Sequence, residues 1–332
     1  MKKLLFIILS LVTLLSFTAC NNNAVIYAPE KPYWLDEKDF GNKVVTVNET
    51  AVYNITYKPF ESPNENVICE FADNNTFTMT VVDTELDGVK CYLMTSTCIV
   101  SGSFTATANS EKVEFTDTTV NKTWFTWNSG FEFIKSEQEA ESTLPTNLTA
   151  SPDKHGNRFI KIKYKTVVAY GDKNAESTFT ITGENKETLA NYFSLDDGET
   201  HTFKKYNKGN YIDSNMLFFA VRTFNFAEDL NYSFSSIDVL NTAKHSLTLS
   251  ASEVTTISPK GYGIKLHSIP TVQENAEIYK MKISIDETYS GNSITCSYFS
   301  ETERWHHALF SMESPLPYKL GTLVYTLTSL SF

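Results

Sequence analysis

The stretch Arg158-Phe159-Ile160-Lys161-Ile162-Lys163-Tyr164-Lys165-Thr166-Val167-Val168-Ala169-Tyr170 decides the fold. Its even positions, Ile160, Ile162, Tyr164, Thr166, Val168 and Tyr170, are mostly apolar, and Lys161, Lys163 and Lys165 face the other way. Side chains alternate across a strand with period two, so this is a β-strand with one buried and one wet face. The same alternation runs through Tyr279, Met281, Ile283 and Ile285, set between Lys280, Lys282, Ser284 and Asp286. It returns in Ile294, Cys296 and Tyr298, and again in Leu323, Tyr325 and Leu327. Further strands are expected over Val44–Tyr57, Thr76–Thr84, Val89–Val100, Phe104–Ala108, Lys112–Val120, Ser177–Thr182, His201–Tyr206, Tyr232–Ile237 and Ser246–Ser250.

Turn residues punctuate these runs. Asp73-Asn74-Asn75, Asp87-Gly88, Asn128-Ser129-Gly130, Asp172-Lys173-Asn174, Asp196-Asp197-Gly198 and Ser290-Gly291-Asn292 each place residues that tolerate a left-handed backbone where hairpins close. Many strands joined by short turns predict an all-β, mainly antiparallel, meander-like sheet. Two segments break the pattern. Asn185–Phe193 carries Leu189 and Phe193 at i and i+4 and reads as a short helix. Asp213–Arg222 runs through Met216, Leu217, Phe218, Phe219, Ala220 and Val221, and Asp213 or Ser214 at its start favours a capped helix. Ser142–Gly156, with Pro145 and Pro152, is the expected internal joint of a β region spanning 44–332.

Composition narrows the function classes. The chain has 332 residues, 23 Phe and 17 Tyr, and a formal net charge of −11. Abundant aromatics favour strands and argue against disorder. The acidic balance argues against nucleic-acid binding, which needs clustered Lys and Arg. Lys161, Lys163 and Lys165 read as a solvated sheet face, with a patch for an anionic partner as the alternative. Cys69, Cys91, Cys98 and Cys296 read as buried free thiols; a cross-strand pair of Cys69 with Cys91 or Cys98 is the alternative.

At the N-terminus, Lys2 and Lys3 precede an apolar run, Leu4 to Phe17, broken only by Ser10, Thr13 and Ser16. Thr18, Ala19 and Cys20 follow, then Asn21, Asn22 and Asn23. The run is short of the roughly 20 residues a membrane span needs and has the layout of an export signal. With Cys20 directly after Ala19 it resembles a bacterial lipoprotein signal, although Phe17 stands where that family usually has leucine. The resemblance implies that 1–19 is removed and that Cys20 is lipidated. Residues 20–43 then form a tether, and the lipid on Cys20 is the only membrane contact of an extracytoplasmic protein. The membrane is then the cell membrane or the outer membrane.

The second half resembles a group of exported proteins related to the lipoprotein-carrier half-barrels. The resemblance rests on Asp213–Arg222, on the following strands, on Pro315-Leu316-Pro317-Tyr318-Lys319 and on Gly321–Leu327. It implies a long antiparallel sheet curved into a half-barrel around an apolar groove, covered by one or two short helices. A lipid or other apolar ligand would then meet Met216, Phe218 and Phe219 of the cover and Tyr164, Tyr279 and Tyr325 of the sheet. The competing reading is a β-sandwich interaction or adhesion module at the cell surface, with Trp124 and Trp127 exposed on loops to meet a protein or glycan.

No motif advertises chemistry. His306 and His307, beside Trp305 and near Glu301 and Glu303, point to opposite faces if they lie on a strand, and so do not share a metal. Ser151-Pro152-Asp153-Lys154 matches an S-x-x-K spacing by chance, with no partner motif. Asp196-Asp197 reads as a turn rather than a pair of glycosidase acids. The expectation is a non-enzymatic protein with no cofactor, no metal and no catalytic residue.

Overall fold

The computed structural model describes residues 48–331 apart from 108, 128–129, 146–155, 185, 187–196, 204–205, 207, 225, 227–229, 239–242, 268–274, 286–292, 301–306 and 317–318. Cys20, the signal segment and the tether therefore lie outside the described residues. So do the 290–292 turn, Trp305, His306 and all of the expected 185–193 helix except Lys186.

The deciding stretch is a strand, as its alternation predicts. Among the described residues it is one of seventeen in a single sheet. The first nine are β1 (Asn48–Lys58), β2 (Val67–Phe71), β3 (Asn75–Leu86), β4 (Val89–Ala106), β5 (Glu111–Trp127), β6 (Phe131–Pro145), β7 (Phe159–Tyr170), β8 (Ala175–Ile181) and β9 (Thr200–Phe203). The rest are β10 (Ile212–Asp213), β11 (Asn231–Asp238), β12 (Ala243–Ile257), β13 (Lys265–His267), β14 (Ala276–Ile285), β15 (Ile294–Phe299), β16 (Leu309–Pro315) and β17 (Thr322–Ser331). In β7, Ile160, Ile162, Tyr164 and Val168 are buried and Lys161 and Lys163 are exposed.

Consecutive hairpins build the ladder from β9 back through β8, β7, β6, β5 and β4 to β3. Then β3 pairs with β1 and β1 with β17, which joins the N-terminal and C-terminal strands. From β17 the ladder continues through β16, β15, β14, β12 and β11. All of these pairs are antiparallel; only the short β10–β11 and β13–β17 pairs are parallel. The sheet curls until its two ends touch. Ile237 of β11 packs in one small apolar cluster with Val168, Ala175 and Phe203 of β7, β8 and β9 and with Tyr206. The molecule is thus one curved, barrel-like sheet and not two stacked sheets.

The hollow is occupied by the chain itself. A 3-10 turn (Ser214–Met216), a single α-helical turn α1 (Leu217–Ala220) and a second 3-10 turn (Val221–Thr223) follow one another. Every residue from Ser214 to Thr223 is buried. Asp213 caps the segment as expected, its carboxylate accepting the Asn215 N–H at 2.7 Å. A helix this short is not stable alone in water, so the walls hold it. Phe219 packs on Phe125 of β5 and Phe131 of β6. Across the hollow, the Tyr298 hydroxyl of β15 donates to the Phe218 carbonyl at 3.1 Å. We call residues 213–223 the strap.

Some local expectations hold and others need correction. Asp87-Gly88 closes the β3–β4 hairpin with both residues at positive φ, 51° and 83°, the geometry of a type I′ turn. Asp73-Asn74-Asn75 closes no hairpin. Both β2 and β3 pair with the same edge of β4, and the register shifts between Phe71↔Gly102 and Thr76↔Ile99. Asn75 bridges the interruption: its amide donates to Ala72 O at 2.8 Å and its carbonyl oxygen accepts from Ser101 N at 2.7 Å. Phe104–Ala106 is not a separate strand but the end of an 18-residue β4. The described part of the expected joint, Ser142–Pro145, belongs to β6 and pairs with β7, from Ser142↔Ile162 to Pro145↔Phe159, so the sheet runs through it; the rest lies outside the described residues. His307 is not on a strand. It sits in a turn at φ 52°, buried, with its ring on Phe226 at 4.0 Å and its Nδ1 2.9 Å from the Arg222 carbonyl. Cys69, Cys91, Cys98 and Cys296 are free thiols.

Candidate functional site

The residues expected to meet an apolar ligand belong to, or pack against, one core cluster, where their partners are other core side chains such as Phe77, Phe125, Phe179 and Phe226. Met216, Phe218 and Phe219 of the strap, and Tyr164 and Tyr325 of the walls, are each no more than 5% exposed, and Tyr279 packs against the same core. An open apolar groove is therefore not found at these positions. The space left between Phe218, Phe219, Asn215 and the β3, β4 and β5 walls is a cavity of about 10 Å³, room for no more than one water molecule.

The hollow also carries a polar wall that the sequence reading missed. Asp117, Thr119, Asn121 and Thr123 of β5 occupy the inward parity between Phe115 and Phe125, and all are buried. Ser136 and Gln138 of β6 lie beside them. The Gln138 amide donates to Asn121 Oδ1 at 2.9 Å and Asn215 Oδ1 at 3.2 Å, while the Tyr164 hydroxyl donates to Gln138 Oε1 at 3.1 Å. Asn121 donates on to the Ser96 hydroxyl at 3.1 Å, and Asn215 donates to the Ser136 hydroxyl at 3.0 Å. The strap is thus seated by hydrogen bonds as well as by packing, and these buried polar groups satisfy one another. Its far end is fixed by an ion pair. The Arg222 guanidinium, fully buried, donates to both Glu49 oxygens at 2.6 and 2.9 Å and lies over the Phe219 ring at 5.1 Å.

Of the buried groups whose acidities are shifted, three bear on chemistry in the hollow. Burial pushes the Asp117 carboxyl up to about 8, against the opposing hydrogen bonds from Thr143 and the charge of Lys161. Its Oδ1 accepts the Thr143 N–H at 3.0 Å, at the place where the β5–β6 ladder stops beyond Thr118↔Glu141, and its Oδ2 has no hydrogen-bond partner. Burial pushes the Cys98 thiol up to about 12, so it is a neutral packing group rather than a nucleophile. Burial lowers His307 to about 4, and the nearby Arg222 charge acts in the same direction. Among the described residues no group of three or more His, Cys, Asp and Glu side chains is placed to hold a metal ion.

The larger concavity is outside. A groove of about 750 Å³, wide and open to solvent, crosses the outer face of β2, β4 and β5 and reaches β6 and β7. Its polar lining is Glu70, Ser101, Ser103, Lys112, Glu114 and Thr116, with Glu141 and Lys161 on the far side. Gly102 lets β2 come this close to β4: a Cβ there would stand 2.3 Å from the Glu70 carbonyl oxygen. The three lysines of β7 lie on the same outer face, and each meets glutamates of β6. Lys161 and Lys163 pair with Glu141 at 2.6 and 3.4 Å, and Lys165 pairs with Glu137 and Glu139 at 3.3 and 2.8 Å. The Lys161 hydrogen bond holds the Glu141 carboxyl below its usual range. The lysine row is a solvated face with its own counter-charges, as expected, and not a bare cationic patch. Trp124 and Trp127 lie on β5 rather than on loops, both half-buried. Lys135 covers Trp124 at 5.4 Å, and Trp127 packs edge-on to Phe131 at 4.8 Å. They do not form the exposed aromatic loops expected of an adhesive module.

No family model matches the chain, and no curated protein matches it. Among solved structures it is similar to the crystal structure of a beta-barrel-like protein of domain of unknown function DUF1849 from Brucella abortus. The identity is 10%, the TM-score 0.48, and the match covers 86% of this chain and 97% of that one. Likeness at this level carries no functional argument.

Proposed function

We propose that this chain is a non-enzymatic binding module, held at the outer side of a membrane by a lipid on Cys20, and that it recognises its ligand on the outer groove while the hollow serves as scaffold. The observation that carries this reading is the contrast between the two concavities. Among the described residues, the space left in the hollow beside residues 213–223 is a cavity of about 10 Å³, whereas the outer groove offers about 750 Å³. The export-type segment Lys2–Ala19 followed by Cys20 supports the tether. Cys20→Ala is expected to move a folded chain from the membrane to the soluble fraction; a variant that stays membrane-bound refutes the single lipid anchor. The full chain, taken from membranes in mild detergent and analysed by native mass spectrometry, is expected to carry no apolar molecule apart from its own anchor. A stoichiometric co-purifying lipid overturns the scaffold reading of the hollow and assigns it to a ligand that displaces the strap.

A further inference from the structure

We propose that the outer groove binds a neutral polyhydroxylated ligand, a glycan chain. This rests on the groove being the recognition surface and adds the class of its ligand.

Each charged group of the groove already has a counter-charge beside it, with Lys112 shared by two glutamates. Lys112 Nζ lies 3.7 Å from Glu70 and 3.9 Å from Glu114, and Lys161 Nζ lies 2.6 Å from Glu141. A phosphate would have to displace carboxylates from the two lysines, and a cation would have to displace lysines from the carboxylates. Such exposed pairs contribute little to stability, and three carboxylates against two ammoniums leave the lining one negative charge in excess, which disfavours an anion. Hydrogen-bonding capacity remains. A carboxylate has about four acceptor sites and an ammonium three donors, far more than one ion pair consumes. Ser101 and Thr116 share one hydrogen bond at 3.1 Å across β4 and β5, and Ser103 donates to Glu70 at 3.3 Å. Hydroxyls, carboxylates and ammoniums side by side match a ligand that presents donors and acceptors on every carbon, which is the chemistry of a sugar.

A sugar also has C–H faces, and the same sheet face supplies apolar surface for them. Ile68 and Ile99 are two of the exposed large hydrophobic residues, 51% and 39% exposed. Strand alternation puts Ile68 on the outer face with Glu70, and Ile99 with Ser101, each one repeat along its strand. From Lys112 to Thr116 the β5 wall extends about 13 Å at the usual strand rise, so the bed suits an extended chain rather than a single small molecule. The groove is too open to enclose an apolar ligand, whereas a polyol keeps its outward hydroxyls in water.

The test is an immobilised array carrying neutral glycans, acidic glycans and peptides, probed with the full chain in mild detergent. Wild type is expected to bind one or more neutral glycans. Glu141→Gln and Thr116→Ala, both on the outer face, are expected to weaken that binding about tenfold or more, with urea midpoints unchanged. Binding of acidic glycans or peptides alone, weakened by the same variants, overturns the ligand class and leaves the groove as the site. A neutral glycan bound equally by wild type and both variants overturns the groove itself. Binding of nothing on the array overturns both.

Discussion

The Arg222–Glu49 pair is the most demanding contact in the protein, and removing one partner gives a sharp test of how the strap is held. Arg222 has no exposure and Glu49 about 4%, so neither charge reaches bulk water. The guanidinium makes two charge-assisted hydrogen bonds, at 2.6 and 2.9 Å. Glu49→Gln keeps the shape and most of the packing but strands a cation in the hollow. Breaking a buried pair in this way costs about 3–5 kcal/mol. For a domain of this size that is a fall in Tm on the order of 10 °C. Pairing the change with Arg222→Met removes the stranded charge as well, and the double variant is expected to recover most of the loss. Urea denaturation of the four chains of this cycle, followed by tryptophan fluorescence, gives the coupling energy. A loss below about 1 kcal/mol for Glu49→Gln alone would refute the argument, because it would mean that water reaches Arg222 and that the strap is not clamped at this end.

Three further outcomes follow from the buried groups and one backbone position. Asp117 has a folded pKa of about 8, above its unfolded value, so the stability its neutral form contributes is full below about pH 4 and is lost as pH rises through 8. Asp117→Asn should therefore match wild type at about pH 4 in urea titrations, gain on it as pH rises from 4 to 8, and exceed it at pH 9 by up to about 5 kcal/mol; equal stabilities at pH 9 would show that the carboxyl ionises at no penalty. His307 has a folded pKa of about 4, below its unfolded value, so the unfolded chain takes up the proton first. Stability relative to a His307→Gln variant should fall by about 3 kcal/mol as pH drops from about 6.5 to about 4, and parallel profiles for the two chains would contradict the burial of the ring. Gly321 stands at φ 116°, and a Cβ there would be 2.3 Å from the Tyr57 ring; Gly321→Ala should cost about 2 kcal/mol or more, and a calorimetric Tm equal to that of wild type would mean that the Tyr57 contact is not a tight one.

Some misreadings are informative because their cause is physical. Beyond Phe131 and Phe133, strand β6 sets Lys135, Glu137, Glu139 and Glu141 on one parity and Ser136, Gln138 and Ala140 on the other, and offers no apolar alternation to read. It is a strand because β5 and β7 pair with it on both edges, because its glutamates meet lysines outside, and because Gln138 meets Asn121, Asn215 and Tyr164 inside. The outer groove was invisible for a related reason. Its Lys161 comes from a strand recognised at once, but Glu70, Ser101, Thr116 and Glu141 are ordinary polar residues on four other strands, and only the curl of the sheet sets them around one concavity.

What the sequence determined by itself is local. Alternation in 158–170 and its repeats sets strand identity and which face is buried, because side-chain direction follows from the pleat of one strand alone. Asp87-Gly88 sets a hairpin, because two residues suffice to turn the chain. Asp213 starts a helical turn, because a cap acts within three residues. What only the tertiary structure decided is which strands meet and what fills the space they enclose. The β1–β17 pairing joins residues more than 250 positions apart, and the strap fills the hollow because Glu49, Gln138, Tyr298 and Phe125 reach it from different strands. Those contacts depend on how far the sheet curls, a property of the closed ladder as a whole and of no single strand in it.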